Sequence, residues 1–325
     1  MTDKNAPDPA DTPPAGSGPA KADAATPVPA QAIRAIPVRH PWRWVSAVVV
    51  LGLLAMLGLA FANAKIQWSD VPEYLFNDRI MTGVLNTVKI TVYSFVLGVV
   101  LGVVLAVMKL SKNPVVSLFA NGYIWLFRGT PVLLQLLIWY NLALIFPVLN
   151  LGPIYKDEMT EVMTPFLAAL LGLGLNQAAY MAEIVRSGIQ SVDEGQTEAA
   201  HALGMSSGRT MRRIVLPQAM RVIVPPTGNQ FIDLLKTSSL AMVITYPELI
   251  YVAKSISTGT LNVMEMYFVA AIWYLALTTV FSIVQFYVER HFAKGSVRNL
   301  PPTPWQKVKA NLRTPPRLLG TRSPR

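Results

Sequence analysis

The chain has 325 residues, 52% of them hydrophobic and only 14% charged, with a mean hydropathy of +0.40. Soluble domains carry about 25% charged residues, so this is the composition of a multi-span membrane protein. There is no cysteine, which excludes disulfides, thiolate chemistry and cysteine-bearing metal sites, and the three histidines (His40, His201, His291) are too scattered to form a ligand cluster. The net charge of +10 falls largely at the ends of apolar runs, where it reads as a topological signal and not as a nucleic-acid footprint.

Residues 1–43 are rich in Pro, Ala, Asp and Thr and poor in aromatics. Such a segment cannot bury a core and is expected to be a disordered tail. It does not read as a signal peptide, because the first apolar run starts far from Met1 without a small-residue cleavage pattern behind it.

The first span is expected over 45–63, within a helix at 44–64, with Trp42 and Trp44 at one interface and Trp68 at the other. The second covers about 82–108 and carries Gly98-x-x-x-Gly102, a pattern that lets another helix approach closely. The apolar region at 115–147 is too long for one upright helix, and Arg128-Gly129-Thr130-Pro131 interrupts it. An interfacial helix, a break, and a span from 131 to 147 are expected there. A fourth span follows at 164–187.

Between 188 and 224 the chain turns polar and basic. Gln196 to Leu203 are good helix formers, and Gly204 is placed to end that helix. Ser206 or Ser207 is expected to cap a second helix holding Arg209, Arg212 and Arg213, stopped by Pro217, Pro225 and Pro226. A fifth span at 227–252 contains Asp233, Lys236, Pro247 and Glu248 and is the weakest by hydropathy. The sixth, at 266–289, is clear, and a basic tail runs over 291–325.

Lys and Arg residues flank alternate span ends. Arg34, Arg39 and Arg43, then Lys109 and Lys112, then Arg186, Arg209, Arg212, Arg213 and Arg221, then Arg290, Lys294 and Arg298 all fall on one side when six spans are counted. The positive-inside rule makes that side cytoplasmic. Both termini and the polar insert are therefore expected in the cytoplasm.

The residues alone leave the insert as either a solvated amphipathic loop or a handle for another protein. Its spacing is specific. Glu198-Ala199-Ala200, three residues, Gly204, nine residues, then Ile214-Val215-Leu216-Pro217 resembles the permease subunits of binding-protein-dependent ABC importers. Arg128-Gly129-Thr130-Pro131, Asn176 with Ala179-Tyr180-x-Ala182-Glu183, Gly188-Ile189-Gln190-Ser191 and Leu216-Pro217-Gln218-Ala219 resemble the polar amino acid subfamily. These markers cover roughly 80–290. The resemblance implies an all-α, type I ABC importer permease fold with a five-span core, to which the helix at 44–64 is an extra N-terminal span. It implies that Glu198, Ala199, Ala200, Gly204, Ile214, Leu216 and Pro217 form the coupling loop. It also implies the partners: a second permease subunit, self or paralogue, two ABC ATPase subunits, and a periplasmic amino-acid-binding protein. The location implied is the bacterial inner membrane. Lys236-Thr237-Ser238-Ser239-Leu240 departs from the family's frequent Lys-Asp-Thr-Ser-Leu.

Polar residues inside spans usually face a bundle interior or a wet cavity. Asn229, Asp233 and Lys236 share one helix face by their i, i+4, i+7 spacing, and Asp233 and Lys236 are spaced to pair. Asn176, Tyr180, Glu183 and Ser187 share another face. Asn176, Tyr180, Asn229, Asp233, Lys236, Thr237 and Ser238 are therefore the candidate substrate path, with a packing role the alternative for Asp233 and Lys236. Lys89 is expected to snorkel outward. Arg128 either satisfies carbonyls freed at the helix break or meets anionic lipid or a partner's loop.

The chain has no Gly-x-x-x-x-Gly-Lys-Ser/Thr loop. If ATP drives it, ATP and magnesium belong to a separate ATPase and this chain holds no cofactor. An ion-driven secondary transporter is the main alternative, but no inverted repeat or second copy of the insert is found. An intramembrane enzyme would need a nucleophile with a base, or metal ligands, at membrane depth, and no such set is present in the spans.

Overall fold

The computed structural model describes residues 41–292 except Leu151 and Ile154. The expected tails over 1–40 and 293–325 lie outside the described residues. The chain divides into two units, Met1–Ala64 and Lys65–Arg325. In the first unit a single helix, α1 (Pro41–Ala62), ends at the expected first span, and its described side chains are all exposed in the isolated chain. A long helix whose described side chains are mostly apolar and exposed is suited to lipid.

The second unit is helical. After a short α2 (Asp70–Leu75) comes α3 (Asp78–Lys109), capped at its start by the Asn77 side chain, which accepts from Arg79 N. Then follow α4 (Pro114–Gly129) and α5 (Val132–Tyr140), a 3-10 turn at Leu142–Leu144, and an antiparallel hairpin of β1 (Val148–Asn150) and β2 (Lys156–Glu158). Beyond α6 (Met159–Val162), α7 (Pro165–Gln190) starts on a Thr164 cap with proline in its first turn. The polar insert holds α8 (Glu194–Ala202) and α9 (Ser207–Thr210). A π-helical turn at Met211–Val215 leads into α10 (Leu216–Thr237), and a 3-10 segment at Ser238–Ile244 into α11 (Leu249–Thr260) and α12 (Val263–Phe292).

By length and composition, α1, α3, α7 and α12 are long and apolar enough to cross a membrane. Two expected spans take a different form. The one at 131–147 stops at Tyr140, because the 3-10 turn and hairpin follow immediately. Nine residues of α5 rise about 14 Å, so crossing at this point needs α4 and α5 together. The one at 227–252 is divided between α10, the 3-10 segment and α11. The prolines do not stop the helix. Pro217 falls in the first turn of α10, just after the π turn, and Pro225 and Pro226 lie inside it. Polar side chains bond the backbone beside them: Gln218 Nε2 donates to Ile214 O at 3.0 Å, Thr227 Oγ1 to Ile223 O at 2.8 Å, and Gln285 Nε2 of α12 to Pro225 O at 3.4 Å. These bonds tie down carbonyls beside the prolines; those four residues before Pro225 and Pro226, on Arg221 and Val222, are not among their acceptors.

The principal contact of the unit is α3 against α7. A Cβ built on Gly98 would lie 2.6 Å from Gln177 Cγ, and one on Gly102 2.5 Å from Met181 Cβ. The small-residue pattern is therefore a seam that α7 fills. One buried cluster joins Ile90, Leu136, Leu173, Ala241 and Ile244 across α3, α5, α7 and the 3-10 segment. Another joins Ile80, Val84, Leu249, Met266 and Val269 across α3, α11 and α12. Between them Glu248, fully buried, caps α11: its carboxylate accepts from Ile250 N at 2.9 Å, Tyr251 N at 2.7 Å and Tyr274 Oη at 2.9 Å.

Overpacking a helix seam costs about 1–3 kcal/mol. Gly102→Leu should therefore lower the thermal midpoint of the detergent-solubilised protein by several degrees, whereas Gly122→Ala, inside α4 with nothing within 4 Å of the added carbon, should hold or raise it. Equal melting of the two variants would refute the seam.

Candidate functional site: a polar cavity and a short polar helix

The chain breaks between α4 and α5, at Thr130 and Pro131. Proline has no N–H, and the residue before it is pushed to extended backbone; Thr130 sits at φ −114°, ψ 143°. Carbonyls near the break therefore lack helical partners. Buried Gln135 supplies one set of bonds, its Nε2 donating to Phe127 O at 3.0 Å, Thr130 O at 3.1 Å and Thr130 Oγ1 at 2.8 Å. Asn176 of α7 supplies another, with Nδ2 to Phe127 O at 2.8 Å. Gln135 is the residue that sequence reasoning missed. A glutamine four residues after a proline in an apolar run was the available signal.

Arg128 is thus not the residue that satisfies these carbonyls. Its guanidinium carbon lies 5.1 Å from the centre of the Tyr180 ring, within cation–π range. It is 3.9 Å from Glu183 Oε1. Glu183 has closer partners, Lys109 Nζ at 2.5 Å and Arg186 Nε at 2.8 Å. The stripe of Asn176, Tyr180 and Glu183 therefore cradles the end of α4.

Above this cradle lies a cavity of about 830 Å³. Arg128, Gly129, Thr130 and Pro131 line one side, Asn176, Gln177 and Tyr180 another, and Gln230, Asp233, Lys236, Thr237 and Ser239 a third. Five of the seven candidate path residues line it. Asn229 does not: it accepts from Gln285 Nε2 at 2.9 Å and ties α10 to α12. Ser238 does not either, being fully buried with its hydroxyl donating to Leu235 O. Gln177, Gln230 and Ser239 take their place as lining residues that the stripes did not predict. Asp233 and Lys236 form the expected i,i+3 pair at 2.8 Å, with side chains 61% and 56% exposed. Lys89 is exposed on α3.

In the polar insert, the Asp193 side chain accepts from Gly195 N at 2.8 Å and starts α8. Gly204 ends the helix at φ +77°. Met205 N donates to Ala200 O and Gly204 N to His201 O, which is the Schellman pair of bonds. Glu198 and Ala199 are exposed, but Ala200 is buried and belongs to the helix's inner face. Leu203, beside the glycine, is 84% exposed, an apolar residue on a polar helix that the motif did not single out. Ile214, Leu216 and Pro217 lie past the turn on the continuous helix leading into α10, with Leu216 and Pro217 exposed.

The sequence matches the family described as "Binding-protein-dependent transport system inner membrane component" over residues 98–294. The chain belongs to that family. It is 48% identical over 270 residues to the Corynebacterium glutamicum "Arginine transport system permease protein ArgU", covering 82% of this chain and 85% of that one. It is 38% identical over 237 residues to the Bacillus subtilis "Probable amino-acid ABC transporter permease protein YckA", covering 70% of this chain and 97% of the relative. A chain of the solved structure "Crystal structure of an amino acid ABC transporter with histidines" is 35% identical, with a TM-score of 0.61 over 70% of this chain and all of the other. A methionine ABC transporter chain in an inward-facing form, 18% identical with a TM-score of 0.53, shares the fold. The protein is accordingly an inner-membrane, multi-pass permease subunit of an ABC importer with the type I permease fold. Its role is transport and not catalysis.

A buried carbonyl left without a donor costs about 1–3 kcal/mol, whereas an exposed ion pair contributes about 0–1 kcal/mol. Gln135→Leu should therefore lower the thermal midpoint of the permease clearly, and Lys236→Met should change it little. A reversal of that order would show that the break is held by something else.

Proposed function

We propose that this permease imports a polar amino acid, driven by ATP hydrolysed on partner subunits. The substrate class is supported by relatives named for arginine, nopaline, L-cystine and glutamine transport. The observation that carries the coupling is α8: a nine-residue polar helix, closed at one end by Asp193 and at the other by Gly204, presenting Glu198, Ala199 and Leu203 outward. A short helix stopped this sharply is a rigid knob, and Leu203 offers apolar area to a groove in another protein.

In the proposed assembly two permease subunits pair, and two ABC ATPases dock on their α8 helices. A periplasmic amino-acid-binding protein delivers substrate. ATP and magnesium sit on the ATPases, and this chain holds no cofactor. Both termini are cytoplasmic in this assembly, an orientation that the arginine and lysine asymmetry supports. Closure of the ATPases draws the α8 helices together and turns the cavity outward. Hydrolysis returns it inward, so each cycle admits one substrate past the lining of Asn176, Tyr180, Asp233, Lys236 and Thr237.

The complex reconstituted in liposomes tests this. Gly204→Val forces a branched residue into the left-handed region, and Leu203→Asp puts a charge on the docking face. Both should leave membrane insertion intact while at least halving ATPase co-purification and ATP-dependent amino acid uptake. Undiminished uptake in the double variant would exclude α8 as the docking element. Uptake by the wild type that follows an ion gradient and ignores ATP would overturn the proposal as a whole.

A further inference from the structure

Resting on the import proposal, we infer that Arg128 is a substrate-contacting residue that holds the carboxylate of the transported amino acid in the cavity beside the α4–α5 break. Helix-break carbonyls, its first candidate partners, are already bonded by Gln135 and Asn176. Glu183, its nearest carboxylate, has both oxygens engaged more closely, by Lys109 at 2.5 Å and Arg186 at 2.8 Å, against 3.9 Å for Arg128. Three cations around one carboxylate leave a surplus of positive charge, and Arg128 is the member of the three that lines the cavity. Its side chain is 43% exposed.

Its placement is well determined. Asn176 fixes the carbonyl of the preceding residue, and the Tyr180 ring lies under the guanidinium. Held by its face, a guanidinium keeps N–H groups at its edge free to bind a carboxylate with two parallel bonds. Gln177 also borders the cavity, but its side chain packs against Gly98 in the α3–α7 seam and its Nε2 is buried there. Arg128 is therefore the donor that this wall offers, and a fork of N–H groups suits a ligand group that only accepts. Across the cavity, Asp233 is the one carboxylate of the lining, in an exposed pair with Lys236. A substrate ammonium, or a cationic side chain, can exchange with Lys236 there. The cavity therefore presents a carboxylate end and an ammonium end.

The test uses the purified permease–ATPase complex in nanodiscs, titrated calorimetrically with L-arginine and with L-arginine methyl ester, which lacks the carboxylate charge. The wild type should bind the free acid more tightly than the ester by roughly ten- to a hundredfold, the range of a charge-assisted pair. Arg128→Gln should bind both at the ester's affinity. If that variant does not assemble, Arg128→Lys, which keeps the charge and loses the fork, should retain the preference at a several-fold weaker affinity. A wild type that transports but does not distinguish acid from ester overturns the inference. So does a preference that survives intact in Arg128→Gln, loss of binding to both ligands in that variant, or a lysine variant that equals the wild type or has no preference. A wild-type complex that imports no amino acid at all fails the import proposal instead.

Discussion

The backbone cannot be left unpaired at membrane depth, and that constraint organises this protein. Lipid offers no donor to a carbonyl freed by a helix break. Thr130-Pro131 breaks the α4–α5 rod, and Gln135 and Asn176 repair it. Asn176 can reach Phe127 only if α7 lies against α4, and α7 reaches that depth in the bundle by filling the Gly98–Gly102 seam of α3. The position of Arg128 follows from these contacts. The polar cavity is thus bound up with a hydrogen-bond requirement, since the break itself and Asn176, one of the two residues that mend it, form part of its wall.

The two ionic groups of the site differ in character. Glu183 is one-fifth exposed, with Lys109, Arg128 and Arg186 around it, and it joins α3, α4 and α7. Removing it would leave three cations facing one another, so its role is tied to the frame. Asp233 and Lys236 are mostly exposed and belong to one helix. Their pairing is worth little in water, and for that reason it can open without disturbing the fold. One kind of pair holds helices together, and the other can change partners at little cost to the fold.

Much of this was legible in the sequence. Long apolar runs marked α1, α3, α7 and α12 because length and hydropathy decide such elements. Gly98-x-x-x-Gly102 announced a close approach, and Gly204 announced a helix end, each through a steric property of one residue. Polar stripes brought four lining residues into view, Asn176, Tyr180, Asp233 and Lys236. What periodicity could not show is which neighbour each residue meets. Asn176, Tyr180 and Glu183 form a stripe, yet their partners are on α4 and α3. Asn229 belongs to the same stripe as Asp233 and is taken up by Gln285. Prolines misled most: α10 takes Pro217 into its first turn and runs on through Pro225 and Pro226, where the local sequence reads as a stop. Glu248 read as a hydropathic liability, but it is a cap satisfied by two amides and a tyrosine.

Because no loop interrupts the chain from Ser207 to Thr237, the base of the polar insert and the Asp233–Lys236 segment belong to one lever. Twenty-two residues of α10 alone extend about 33 Å, so a tilt of about 10° displaces the far end by about 6 Å. That travel exceeds the reach of a hydrogen bond and approximates the width of an amino acid. The lever also has built-in compliance: the wide turn at Met211–Val215 and the proline pair at 225–226 mark two places where the rod can flex without breaking. Bending at the first would absorb a push before it reached the cavity, and bending at the second would aim it. The stiffness of thirty-one residues, and not the chemistry of any one of them, then sets how faithfully a movement at the insert is reproduced beside the cavity.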